Sequence, residues 1–163
     1  SQVNLLSGDI KTRKVAILAA NGVDGAAIDA LKAALEAEGA HAKLLGPTSA
    51  PVTTAQGKTL PVDASMEGMP SIAFDAVFIP GGKESVKALS GDGVALHYVL
   101  EAYKHLKAIA VASDVKPLLD LLKLEEDAGL IVGADAKAFK AFFAAIAQHR
   151  VWEREPKSKA IPA

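Results

Sequence analysis

The chain has 163 residues, half of them apolar and 23% charged, with a formal net charge of −1 and no cysteine. That length fits one domain with a substantial core, and the missing cysteine excludes disulfides, thiolate nucleophiles and thiolate metal sites. Scattered Lys and Arg leave no electrostatic footprint for nucleic acid or an anionic membrane, and no apolar run is long enough to span a bilayer.

The opening stretch, residues 1–13, is polar and irregular and reads as a linker or arm without signal-peptide architecture. No residue pattern fixes a compartment. KVAILAA (14–20) is a continuous apolar run of strand length, as expected for a strand covered on both faces. Asn21-Gly22 breaks it, and Asp24 caps a helix running to about Glu38, with Ile28, Leu31 and Leu35 at helical spacing. Gly39 suits the left-handed residue after a helix. AHAKLLG (40–46) is the next strand, which completes a β-α-β unit and predicts a parallel sheet.

Prolines and glycines break the rhythm over residues 47–73, where APVTT and KTLPV predict a small β-hairpin insert. FDAVFIPGG (74–82) restores a buried strand, followed by a short helix near 84–89 and a longer one over 93–106. AIAVAS (108–113) predicts a fourth strand, residues 116–124 a helix, and GLIVG (129–133) a short fifth strand. The last helix spans 134–150, with Ala138, Phe142, Ala145 and Ile146 on one side. Residues 151–163 form a charged, proline-bearing tail, placed on a surface or a partner. The expected fold is α/β and flavodoxin-like: a doubly wound, mainly parallel sheet with helices on both faces, occupying residues 14–150.

In such sheets ligands bind beyond the carboxyl ends of the strands. Three loops should meet there, at residues 21–24, 80–84 and 113–116. Gly81 and Gly82 have the backbone N–H groups of an oxyanion hole, and Ser113 is the candidate nucleophile. The duller readings carry more weight. The glycines serve a tight turn, and Ser113 or Asp114 serves as an N-cap, because V-A-S-D-V lacks the glycines of a nucleophile elbow.

A hydroxyl nucleophile needs a base. His41, His97, His105 and His149 all fall outside the three loops on this map. His97 and His105 are roughly 12 Å apart along their helix and cannot chelate one metal by themselves. Glu125-Glu126-Asp127 reads as a solvated turn, and no phosphate-binding glycine motif occurs.

VAILAANGVD, VFIPGG and the strand-turn-helix at 108–119 resemble the ThiJ/PfpI superfamily, whose flavodoxin-like members are related to class I glutamine amidotransferases. The resemblance implies a catalytic Cys at the corner held here by Ser113-Asp114, and a Glu on the first helix, near Ala26-Ala27. Both are replaced, so the vestigial elbow (Ser113, Asp114) and vestigial oxyanion loop (Gly81, Gly82) imply a hydrolase or glyoxalase-like activity only through Ser113.

RKVAILAANGVD, HAKLLG, DAVFIPGG, EAYKHLKAIAVA and AQHRVWEREPKSKAIPA resemble the C-terminal domain of large-subunit haem catalases. That resemblance implies a flavodoxin-like domain without catalytic, cofactor or metal residues of its own, in a tetramer that dismutes hydrogen peroxide. The haem and its ligands belong to the preceding core, and Tyr98 and Tyr103 are expected to be packing or interface residues. The implied partners are that core, the other subunits and, for a domain detached near residues 1–13, unfolded clients held by apolar surface around Val151-Trp152.

Overall fold

The apolar runs form the centre of a six-stranded parallel sheet in a computed structural model that describes residues 9–148. Its elements are β1 (Lys14–Leu18), α1 (Gly25–Ala37), β2 (His41–Gly46), β3 (Val52–Thr53), β4 (Thr59–Leu60), β5 (Ala64–Ser65) and β6 (Ala76–Ile79). There follow α2 (Lys83–Ser90), α3 (Gly93–Lys104), β7 (Ala108–Val111), α4 (Lys116–Leu121), β8 (Leu130–Val132) and α5 (Ala136–Ala147). The strand order is β5-β2-β1-β6-β7-β8, with every neighbouring pair parallel. Without β5 this is the flavodoxin-like winding, which reverses direction between β1 and β6.

Alternation along the strands builds two cores. Val15, Ile17, Ala76, Phe78, Ala108 and Ala110 pack against α1 and α5 on one face. Ala16, Leu18, Val77, Ile79, Ile109 and Val111 pack against α2, α3 and α4 on the other. Strand side chains alternate between faces, so a sheet covered on both sides needs every position apolar. The β3–β4 pair is the small antiparallel hairpin. Within the stretch read as an arm, Ile10 is 2% exposed in the α1/α5 core and Thr12 N–H donates to Gly39 O.

The structure corrects several boundaries. β5 is a strand the sequence pattern did not predict, since two residues between Pro61 and Gly68 are too few to show alternation. A 3-10 turn at Ser71–Ala73 was likewise unpredicted. β7 stops at Val111, short of Ser113, while α3 and α4 end at Lys104 and Leu121 rather than at 106 and 124.

The helix ends share one cause. After α1, α3 and α4 the chain closes the same paired hydrogen bonds, with Gly39 (φ 77), Leu106 (φ 64) and Lys123 (φ 58) at the left-handed position. Only the glycine announces itself in a sequence. α5 is described to Ala147, with Gln148 as its C-cap, so His149 and the tail at 151–163 lie outside the described residues.

Phe142 is fully buried on α5, its ring centroid 6.2 Å from that of Phe143. Phe142→Ala should lower unfolding free energy by about 3–5 kcal/mol in urea titration, the range for a buried ring replaced by a cavity. A loss under about 1 kcal/mol would show that this face of the sheet repacks freely.

Candidate functional site

The winding reversal brings the loops after β1 and β6 together, and the corner after β7 closes on them. Ala20 N–H donates to the hydroxyl of fully buried Ser85 (2.9 Å). Asp24 N–H donates to Gly81 O (2.8 Å). Gly82 adopts φ 117, and a side chain there would strike Gly22 O and Asp24 N, so both space and conformation demand glycine. The hairpin covers the first loop: Gly22 N–H donates to Thr53 O (2.7 Å), Thr53 N–H to Asn21 Oδ1 (2.9 Å) and Ala55 N–H to Val23 O (2.8 Å).

The expected oxyanion donor is engaged within the chain. Gly82 N–H donates to Asp114 Oδ2 (3.0 Å), and the carboxylate fills the space where a Gly81 side chain would stand. This corrects the N-cap expectation for the corner. Residue 115 precedes α4 with no side-chain cap, and Ser113 and Asp114 lie in a 3-10 turn, Ser113–Val115. Asp114 instead caps α2, whose own N-cap position is Gly82 and has no side chain to offer. A carboxylate at a helix N-terminus satisfies an orphan N–H and meets the positive end of the dipole.

Ser113 is exposed, and its hydroxyl makes no hydrogen bond to a described residue. Ala26 and Ala27, where the superfamily resemblance puts an acid, both direct their N–H groups at Asp24 Oδ1 (3.1 and 3.4 Å). The structure thus brings Gly81, Gly82 and Asp114 together, with no histidine beside Ser113 among the described residues. His41 begins β2 at the opposite end of the sheet. His97 lies on α3 and His105 at its C-cap, 3.7 and 4.0 Å from the Glu101 carboxylate between them. No cluster of three or more His, Asp or Glu suited to a metal occurs among the described residues.

Tyr98 and Tyr103 are 4% and 3% exposed in the core under α3. Tyr98 OH donates to Met69 O (2.7 Å), and burial raises its phenol above the ordinary range. That phenol is committed to a backbone carbonyl inside the fold and does not fit an iron ligand. Glu125 and Glu126 are exposed, while Asp127 is half-buried and opens a turn over residues 127–130, its Oδ1 accepting from Gly129 N–H (2.7 Å). Ser85 was not singled out from the sequence, although a serine on the buried stripe of α2 beside Val86 and Leu89 is the signal that it must bond something.

The family described as the C-terminal domain found in long catalases matches residues 11–156. The chain belongs to that family. It is 55% identical over 154 residues to Catalase HPII of Pseudomonas putida, covering 94% of this chain and 21% of the relative. It is 51% identical over 164 residues to Catalase HPII of Pseudomonas aeruginosa, covering 100% and 23%. With Catalase-B of Dictyostelium discoideum the identity is 44%, over 100% of the chain and 24% of the relative. The chain therefore spans between a fifth and a quarter of the length of these catalases.

Solved structures show the same fold at low identity. A DJ-1 superfamily protein from Salmonella typhimurium superposes with a TM-score of 0.74 at 18% identity, over 93% of this chain and 100% of its own. Drosophila melanogaster DJ-1beta gives 0.69 at 14%, over 91% and 96%. The catalase C-terminal domain is thus a DJ-1-like, flavodoxin-type α/β sheet.

Asp114→Ala should destabilise this domain by about 1 kcal/mol, the typical value of a helix cap, and Gly82→Ala should destabilise it more through the clash with Gly22. Urea unfolding of both variants checks this. An Asp114→Ala variant as stable as the parent would show that the Gly82 bond contributes nothing to the fold.

Proposed function

We propose that this domain is a non-catalytic accessory of a haem catalase that dismutes hydrogen peroxide. It covers the preceding core, stabilises the tetramer with its other subunits and helps shape the route of peroxide to the haem. The carrying observation is the Asp114 carboxylate on Gly82 N–H. A donor already satisfied inside the chain cannot stabilise a developing oxyanion without first losing that bond. Among the described residues no histidine stands beside Ser113 to serve as its base.

Detached, the domain acts as a holdase toward unfolding clients. Support comes from apolar surface on the α3 side. Ile72 is 77% and Val94 37% exposed, beside a groove of ≈360 Å³ whose wall carries Pro70 and Val94 together with Glu67, His97 and Glu101. The segment Val151-Trp152, read from the sequence as part of such a surface, lies outside the described residues.

Adding the isolated domain in stoichiometric amounts should slow thermal aggregation of a client protein followed by light scattering. An unchanged aggregation curve removes the holdase role. For the accessory role, a long catalase lacking this domain should lose peroxide turnover at a lower temperature than the intact tetramer; equal inactivation temperatures would remove it. Ester or glyoxal turnover that vanishes in Ser113→Ala would replace the non-catalytic reading with a degenerate hydrolase.

A further inference from the structure

Two asparagines occur in the chain, and one of them precedes a glycine, in the pair Asn21-Gly22 after β1. Asparagine before glycine is the dipeptide most prone to spontaneous deamidation, because glycine has no Cβ to hinder ring closure. The Gly22 nitrogen loses its proton and attacks the Asn21 side-chain carbonyl carbon; ammonia leaves and a succinimide forms. Water then opens the ring at either carbonyl, giving aspartate or isoaspartate. Water is the only co-reactant.

Both reacting groups are held by one residue. Asn21 is exposed and Gly22 half-buried in the turn. Gly22 N–H donates to Thr53 O (2.7 Å), and Thr53 N–H donates to Asn21 Oδ1 (2.9 Å). The first bond retains the proton that the attacking nitrogen must lose, and the second fixes the side-chain carbonyl that it must reach. Thr53 stands opposite Thr59 in the hairpin but turns its own N–H and C=O to the loop, while the neighbouring Thr54 N–H bonds across the hairpin to Lys58 O (2.7 Å).

The clamp is a small one. β3 and β4 have two residues each, residues 55–59 are exposed, and the buried foothold of β3 is Val52 with Thr54 beside it. A two-stranded hairpin with so little buried surface opens far more often than the sheet that carries it.

We propose that Asn21 is a deamidation site gated by the β3–β4 hairpin, converting only while Thr53 is lifted off the loop. Opening and closing are fast relative to ring closure, so the rate follows the population of the open form. The product acts on the rim directly. Isoaspartate adds a carbon to the main chain just before Gly22, whose carbonyl oxygen stands where Gly82 leaves no room for a Cβ. Neither the site nor its gate depends on what the domain does in a catalase.

The test incubates the 163-residue chain in mildly alkaline buffer, folded and in urea, and follows residue 21 by digestion, mass spectrometry and isoaspartate detection. Asn21 should convert readily in urea and much more slowly in the folded chain. Thr53→Pro deletes the N–H donated to Asn21 Oδ1. It should speed conversion of the folded chain about tenfold, the effect of one net hydrogen bond on the open population. Val52→Ala thins the foothold without removing a donor and should act in the same direction, whether or not proline is tolerated at residue 53. Unfolding midpoints show which variants are folded. Equal rates in the folded chain and in urea overturn the gate, as does acceleration in neither folded variant. Absence of conversion at residue 21 in urea overturns the site itself.

Discussion

The carboxyl edge of the sheet depends on how closely the Gly82 backbone approaches the Gly22 carbonyl. The winding of the sheet reverses between β1 and β6, and the loops after those strands meet at van der Waals distance. A Cβ at residue 82 would separate them, and with them the bond from Asp24 N–H to Gly81 O. The same approach sets α2 where fully buried Ser85 accepts the N–H of Ala20. One missing methyl thus ties two strands, a loop and a helix start into a rigid rim.

On that rim the backbone retains what anion stabilisation requires, a glycine N–H at a helix N-terminus. The chain supplies its own anion. Asp114 reaches across from the corner after β7, 32 residues away in sequence, and completes the cap that Gly82 cannot provide. A DJ-1-like architecture at 18% identity shows the fold and carries no argument about activity.

The two ends of the sheet are chemically different. The carboxyl edge carries Asp24, Asp92 and Asp135 as helix caps with Asp114 beside them. The amino edge carries Lys14, Lys32 and Lys43. Helix dipoles favour this polarity, because α1, α3 and α5 begin at the first edge and end at the second. The acidic groups are consumed by N–H donors of the fold, whereas the Lys14 ammonium lies over the Phe74 ring and none of the three lysines forms an ion pair with a described residue.

The sequence by itself determined the layered architecture, the parallel winding and the small hairpin. Apolar runs at 14–20, 74–82 and 108–113 have strand length and turn residues close behind them, which favours strands covered on both faces over buried helix, and each is separated from the next by at least one helical period. It also announced the Asp24 cap and the turn at Gly39, where local bonding chooses the residue type. Only the tertiary structure decided where α3 and α4 end, because Leu106 and Lys123 hold a left-handed conformation that nothing in their identity advertises. It alone decided the partner of Asp114, which local reasoning assigns to the following helix and packing assigns to α2. Period and capping are short-range properties written in neighbouring residues. A carboxylate that answers a donor on another loop is a property of how the loops are brought together, and no window of sequence contains both.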